Sequence, residues 1–142
     1  MATPYEDVYQ YFLSKISDYA FLKMSDEDLK DMLYTYLKTA INQFEASVID
    51  LSQRDDLLEE FEADLPEKEI DILAGLMMVA YLKSRLLTSE NYKLAMADSD
   101  YKIYSQANHI KELTSLYKEM RKEMDVLVTK YSYKNQNWGE KK

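Results

Sequence analysis

Apolar residues recur along this chain at the three- and four-residue spacing of helical faces, and strand-like alternation is scarce. Thr3-Pro4-Tyr5-Glu6 reads as a helix start: a threonine cap, proline at the first helical position, and a glutamate placed to reach back to the cap. Tyr5, Val8, Tyr9, Phe12 and Ile16 then form one face of a short first helix that fades near Ser17-Asp18. Tyr19 to Met24 reads as a packed connection. Ser25 followed by Asp26, Glu27 and Asp28 is a second start, with acids at the positive end of the helix dipole. From there Leu29, Met32, Leu33, Tyr36, Leu37, Ala40, Ile41, Phe44 and Val48 make an unbroken stripe, with Asp31, Lys38 and Glu45 turned to water.

Asp50 to Leu65 is rich in acids and poor in apolar anchors beyond Leu51, Leu57, Leu58 and Phe61, so it reads as an exposed acidic connector, extended or in part helical. Pro66 opens a third helix expected to reach about Leu87. Between Ile72 and Leu82 that helix is apolar on every side, which makes it the central one, surrounded by its own domain or by neighbouring subunits. A fourth helix should run from near Asp100 to about Tyr131. Its Leu113, Tyr117, Met120, Met124, Leu127 and Tyr131 follow a heptad-like seam, expected to project beyond the domain, while Ile103, Tyr104, Ala107 and Ile110 pack inside it. The expected architecture is an all-α bundle of about four helices over residues 1–133, with a long C-terminal helix. Residues 134–142 form a tail, disordered until bound.

Composition agrees with a helical reading. Among 142 residues there are two glycines and two prolines, too few for a turn-rich or phosphate-loop protein. The absence of cysteine excludes disulfides and thiolate metal sites and favours a reducing compartment. No leader pattern is present and the longest apolar run is too short to span a bilayer, so the chain reads as neither secreted nor membrane-spanning. The net charge of −8 hides an asymmetry: residues 1–71 hold 18 acids against 6 bases, residues 72–142 hold 8 against 12. A solvated acidic face explains this, and so does a dipolar subunit that stacks head to tail on its own copy.

Candidate chemistry is sparse. The single histidine, His109, sits in a helical context without a nucleophile elbow, and His109 with Glu112 is one reversed pair where a di-iron bundle needs two Glu-x-x-His pairs. Asp98-Ser99-Asp100 continues with Lys102 and Ile103 where a calcium loop needs an oxygen ligand and a glycine, so it reads as a helix cap. Basic residues of the fourth helix alternate with acids, which argues against specific DNA recognition. No catalytic, cofactor or metal site is therefore expected. The acidic run from Asp55 to Asp71 is a solvated face, a loose collector of divalent ions, or a nucleic-acid mimic. Of the 13 tyrosines, Tyr9, Tyr36, Tyr81 and Tyr117 fall on core stripes, whereas Tyr34, Tyr131, Tyr133 and also Trp138 have no evident core to join. Aromatics in that position suit a protein interface, and the last three suggest a docking tail.

The Met24-Ser25-Asp26-Glu27-Asp28-Leu29 start leading into Tyr36-Leu37-Lys38, the Glu69-Ile70-Asp71-Ile72-Leu73-Ala74 helix, and Tyr104 to Leu113 on a long last helix resemble the head-tail connector, or adaptor, proteins of tailed-bacteriophage necks. The likeness covers roughly Met24 to Tyr133 and consists of helix starts and packing patterns. It implies a structural virion protein, made in the bacterial host cytoplasm, that joins copies of itself into a ring, commonly of twelve. Such a ring sits beneath the portal, extends the DNA channel and offers a platform to the next neck or tail-completion protein. Carried over by location, Tyr131, Tyr133 and Trp138 would contact the portal. Asp55, Asp56, Glu59, Glu60 and Glu62 would face the channel or a neighbouring subunit, or else point outward, with DNA near them but not specifically bound. A different class of function stays open: a cytosolic helical regulator or assembly chaperone that grips one target helix with the Met-rich surface of the third and fourth helices.

Overall fold

The computed structural model describes residues 2–16, 24–95 and 100–134; within 89–95 and 100–107 it defines the helical backbone only. The chain is an all-α bundle of four helices with a small sheet at one end. The helices are α1 (Tyr5–Ser14), α2 (Asp26–Gln43), α3 (Glu67–Ala95) and α4 (Asp100–Lys134). Helix α3 is the hub, and α1, α2 and α4 each pack on it. Its apolar stretch is spent accordingly: Ile72, Leu73, Ala74 and Met77 are buried on the way to Leu82. The expected central helix is therefore found, and its surroundings belong to its own domain.

The start of α2 forms as its sequence dictates, the Asp28 N–H donating to Ser25 Oγ at 3.1 Å. Its stripe buries Leu33, Leu37, Ala40 and Phe44, with Leu29, Met32, Tyr36 and Ile41 partly covered. The helix stops at Gln43, where Phe44 leaves the helical region at φ −92°, ψ 60°. Val48, the last member of the expected stripe, is consequently 59% exposed. The start of α1 departs from expectation. Thr3 does not cap it; Thr3–Pro4 forms a short strand, β1, and the Thr3 hydroxyl donates to Ala63 O at 2.9 Å while accepting from Leu65 N–H at 2.8 Å. A long-range bond to the end of the connector outcompetes the local cap.

That connector is folded, and here the sequence reading is corrected. Arg54–Asp55 (β2) and Glu60–Phe61 (β3) make a hairpin, and β1 adds to its other edge in the order β1-β3-β2, all antiparallel. Pro4 is tolerated because β1 is an edge strand. Leu51, Phe61 and Leu65 are buried, so three apolar residues suffice to pin a stretch that looks polar by count. Phe61 meets the Tyr5 ring edge-on at 5.0 Å.

Helix α3 continues beyond Leu87 through the Thr88 to Asn91 stretch that was expected to end it. The weak helix formers there carry small penalties, and no glycine or proline intervenes. The contacts of Gly75 with Met124 and of Glu69 with Tyr131 set α4 antiparallel to α3. At about 1.5 Å per residue α4 is roughly 50 Å long. Its packing corrects the expectation that the seam projects: Met124 and Tyr131 are buried, and Tyr117, Met120 and Leu127 pack against the core. The heptad-like seam is the domain interface rather than a projection. Ile103, Tyr104 and Ala107, expected inside, have side chains outside the described residues.

Candidate interaction surfaces

The hairpin tip is built by its own acids. Asp55 Oδ1 accepts the N–H groups of Leu57 (2.9 Å) and Leu58 (3.1 Å), closing the turn as an aspartate turn does. Asp56 accepts the Tyr5 hydroxyl at 2.5 Å on one oxygen and the Tyr34 hydroxyl at 2.9 Å on the other, with Arg54 Nε 3.5 Å away. The two phenols, Tyr5 first, hold the Asp56 carboxyl below the usual carboxylate range. The Tyr5 hydroxyl is pushed well up, by burial before its bond to Asp56, and Tyr34 shifts the same way. Glu59 takes the left-handed backbone region at φ 55°, its carbonyl accepts from Tyr5 N–H at 2.8 Å, and Lys30 Nζ approaches its carboxylate at 3.9 Å. Glu60 pairs with Pro4 and Asp55 in the sheet, and Glu62 is exposed, its N–H donating to Gln53 O. The five acids singled out by the sequence therefore lie in one hairpin, where Asp55, Asp56 and Glu59 position the backbone.

What this framework presents at its tip are two leucines. Leu57 is 94% exposed and Leu58 67%. This corrects the sequence reading, which counts Leu57 and Leu58 among the apolar anchors of the connector; the signal of a surface role was two adjacent leucines inside an acid-rich turn, where glycine, asparagine or serine is usual.

The aromatic residues divide. Tyr131 is a correction: it is 2% exposed, its ring lies edge-on to Phe44 at 5.1 Å, and its hydroxyl donates to Glu69 Oε1 at 2.5 Å while accepting from Val48 N–H at 3.1 Å. Burial, ahead of the Glu69 bond, raises its pKa. A side chain so placed cannot contact a portal without unfolding the helix end. Tyr34 also has a home, stacked on Tyr5 at 6.1 Å. Tyr133 is 61% exposed on the outer face of α4, where Val126 and Leu116 are exposed as well. Trp138 lies outside the described residues.

A groove of about 950 Å³ runs between α2, α3 and α4, because α2 and α4 both lean on α3 and leave a gap. Its apolar lining includes Leu76, Val79, Met124 and Val128, and its charged lining is balanced, Lys83 and Arg121 with Glu45 and Asp125. Met77 is fully buried and Met78 and Met120 pack on the core, so the methionines of α3 and α4 serve packing first. Among the described residues no three metal-ligating side chains converge, His109 is exposed, and no helix is long and apolar enough to cross a membrane. No protein-family model, curated protein or solved structure matches the chain.

Proposed function

We propose that the chain is a structural subunit of a phage neck, a connector that forms a ring, docks on the portal through the C-terminal end of α4 and extends the DNA channel toward the next neck component. The observation that carries this reading is the outer face of that helix end. Val126 and Tyr133 are seven residues apart and so stack on one side, 46% and 61% exposed, flanked by Lys122, Asp125 and Lys130. Apolar and aromatic side chains rimmed by charge have the make-up of an interface rather than of a solvated face. Residues 135–142, with Trp138, follow directly and would extend the same contact.

The test is binding to the portal ring of the same phage. A chain ending at Lys134 and a Tyr133→Ser, Val126→Ser double variant should each bind at least tenfold more weakly, with helical circular dichroism unchanged. The cut falls after Lys134 because Tyr131 belongs to the core. Full binding by both would overturn the assignment. A second reading, a one-to-one regulator that grips a target helix, has the α2–α3–α4 groove in its favour, since a cleft of that volume with an apolar floor suits an amphipathic helix. Mass in solution separates the two: a discrete one-to-one complex, never a ring on a portal, belongs to the regulator.

A further inference from the structure

Leu57 and Leu58 are the central pair of the turn between β2 and β3, and both side chains stand out into solvent. The turn beneath them is held firmly. Asp55 accepts both leucine N–H groups, and Asp56 accepts a phenol from α1 and a phenol from α2. Glu59 is kept in the left-handed backbone region, which a non-glycine residue adopts only at a cost. Closing such a turn does not call for leucine at either position, since serine or asparagine serves as well. A knob already fixed in one conformation gives up little freedom when it docks.

The charge around the tip narrows what it can dock into. Residues 54–62 carry five carboxylates, Asp55, Asp56, Glu59, Glu60 and Glu62, against one base, Arg54. Lys30 of α2 approaches Glu59 at 3.9 Å, which still leaves the tip negative. Such a rim repels nucleic acid and the anionic surface of a bilayer, whatever the leucines contribute. A protein pocket with an apolar base and lysine or arginine at its edge suits both the leucines and the acids.

The tip is also separate from the surface at the end of α4. Tyr34 of α2 holds the hairpin, whereas Phe44, just past the end of the same helix, meets Tyr131 of α4. These two anchor points are about 15 Å apart along α2, so both surfaces can be engaged at once. We propose that the Leu57-Leu58 tip is a second docking site, which seats in an apolar, basic-rimmed pocket of the next neck component. This rests on the neck reading above and assigns the hairpin to the side away from the portal.

The chain has no cysteine, so Leu57→Cys carries a thiol-reactive photo-crosslinker at the tip alone. In assembled necks, residue 57 should cross-link to the next neck component at a site with lysine or arginine beside it. A cross-link to the portal, to a second copy of this chain or to no protein overturns the proposal. With the purified next component, Leu57→Ser with Leu58→Ser should weaken binding at least tenfold. Glu62→Lys should weaken it about threefold. Melting midpoint and portal binding should not change in either variant, and undiminished binding of the next component by either contradicts the assignment. Portal binding by a chain whose tip cross-links to nothing would sink this contact and leave the neck reading standing. Binding of the next component through the tip without portal binding would do the reverse.

Discussion

Tyr131 closes the lower end of the bundle by joining three elements at once: its hydroxyl bonds Glu69 of α3 and Val48 after α2, and its ring covers Phe44. Glu69 is itself buried, and its second oxygen, Oε2, meets no donor among the described residues. Replacing Tyr131 by phenylalanine keeps the shape and strands both a carboxylate oxygen and an N–H. The expected cost is about 1–3 kcal/mol, read from the urea midpoint at unchanged slope. A neutral result would mean that water satisfies these groups. The buried phenols also set the alkaline limit. Tyr5 and Tyr131 titrate above the ordinary tyrosine value of about 10 in the folded chain. A pKa raised on folding contributes stability that is complete below the unfolded value and is lost as pH rises through the folded one. Helical circular dichroism should therefore hold to about pH 10 and then fall. Melting that begins two units lower would contradict the burial of these hydroxyls.

At the scale of elements, the hairpin is held to the bundle by Asp56. Its pKa is depressed, so its contribution is complete above the ordinary carboxylate value of about 4 and disappears as pH falls through the lower, folded value. Asp56→Ala should speed hydrogen exchange of the amides of residues 54–61 while leaving those of α3 protected; equal protection of the hairpin in the variant would refute the anchoring role. The α3–α4 contact depends on Gly75, where an added Cβ would overlap Met124 Sδ and lie 2.6 Å from its Cε. Gly75→Val should cost about 1–3 kcal/mol, and Met124→Ala in the same chain should recover part of it, a non-additivity that a thermal-melt cycle measures. Much of this architecture was legible in the sequence. The stripe of α2 with its Ser25 cap and the all-round apolar character of α3 follow from spacing alone. The hairpin did not, because its anchors Phe61 and Leu65 are held by Tyr5 and Thr3, more than fifty residues away in sequence, which periodicity does not report. The seam of α4 was correctly found and wrongly placed, since a heptad pattern identifies a buried face without saying whose face covers it.

At the scale of the whole molecule, aromatic groups hold the helices to one another. Phe12, Tyr36 and Tyr81 form a triangle with centroids 6.0 to 6.2 Å apart that locks α1, α2 and α3 together. Apolar side chains remain outside at the α4 end and at the hairpin tip. Of the portal-contacting residues named from the sequence, Tyr133 is on a surface and Tyr131 is inside, a distinction invisible in a sequence where both are tyrosines two positions apart. The neck assignment is tested most directly by electron microscopy of assembled particles carrying a labelled copy of this chain. The label should appear as a ring directly beneath the portal, and a label absent from the particle, or located away from the portal, would contradict the account.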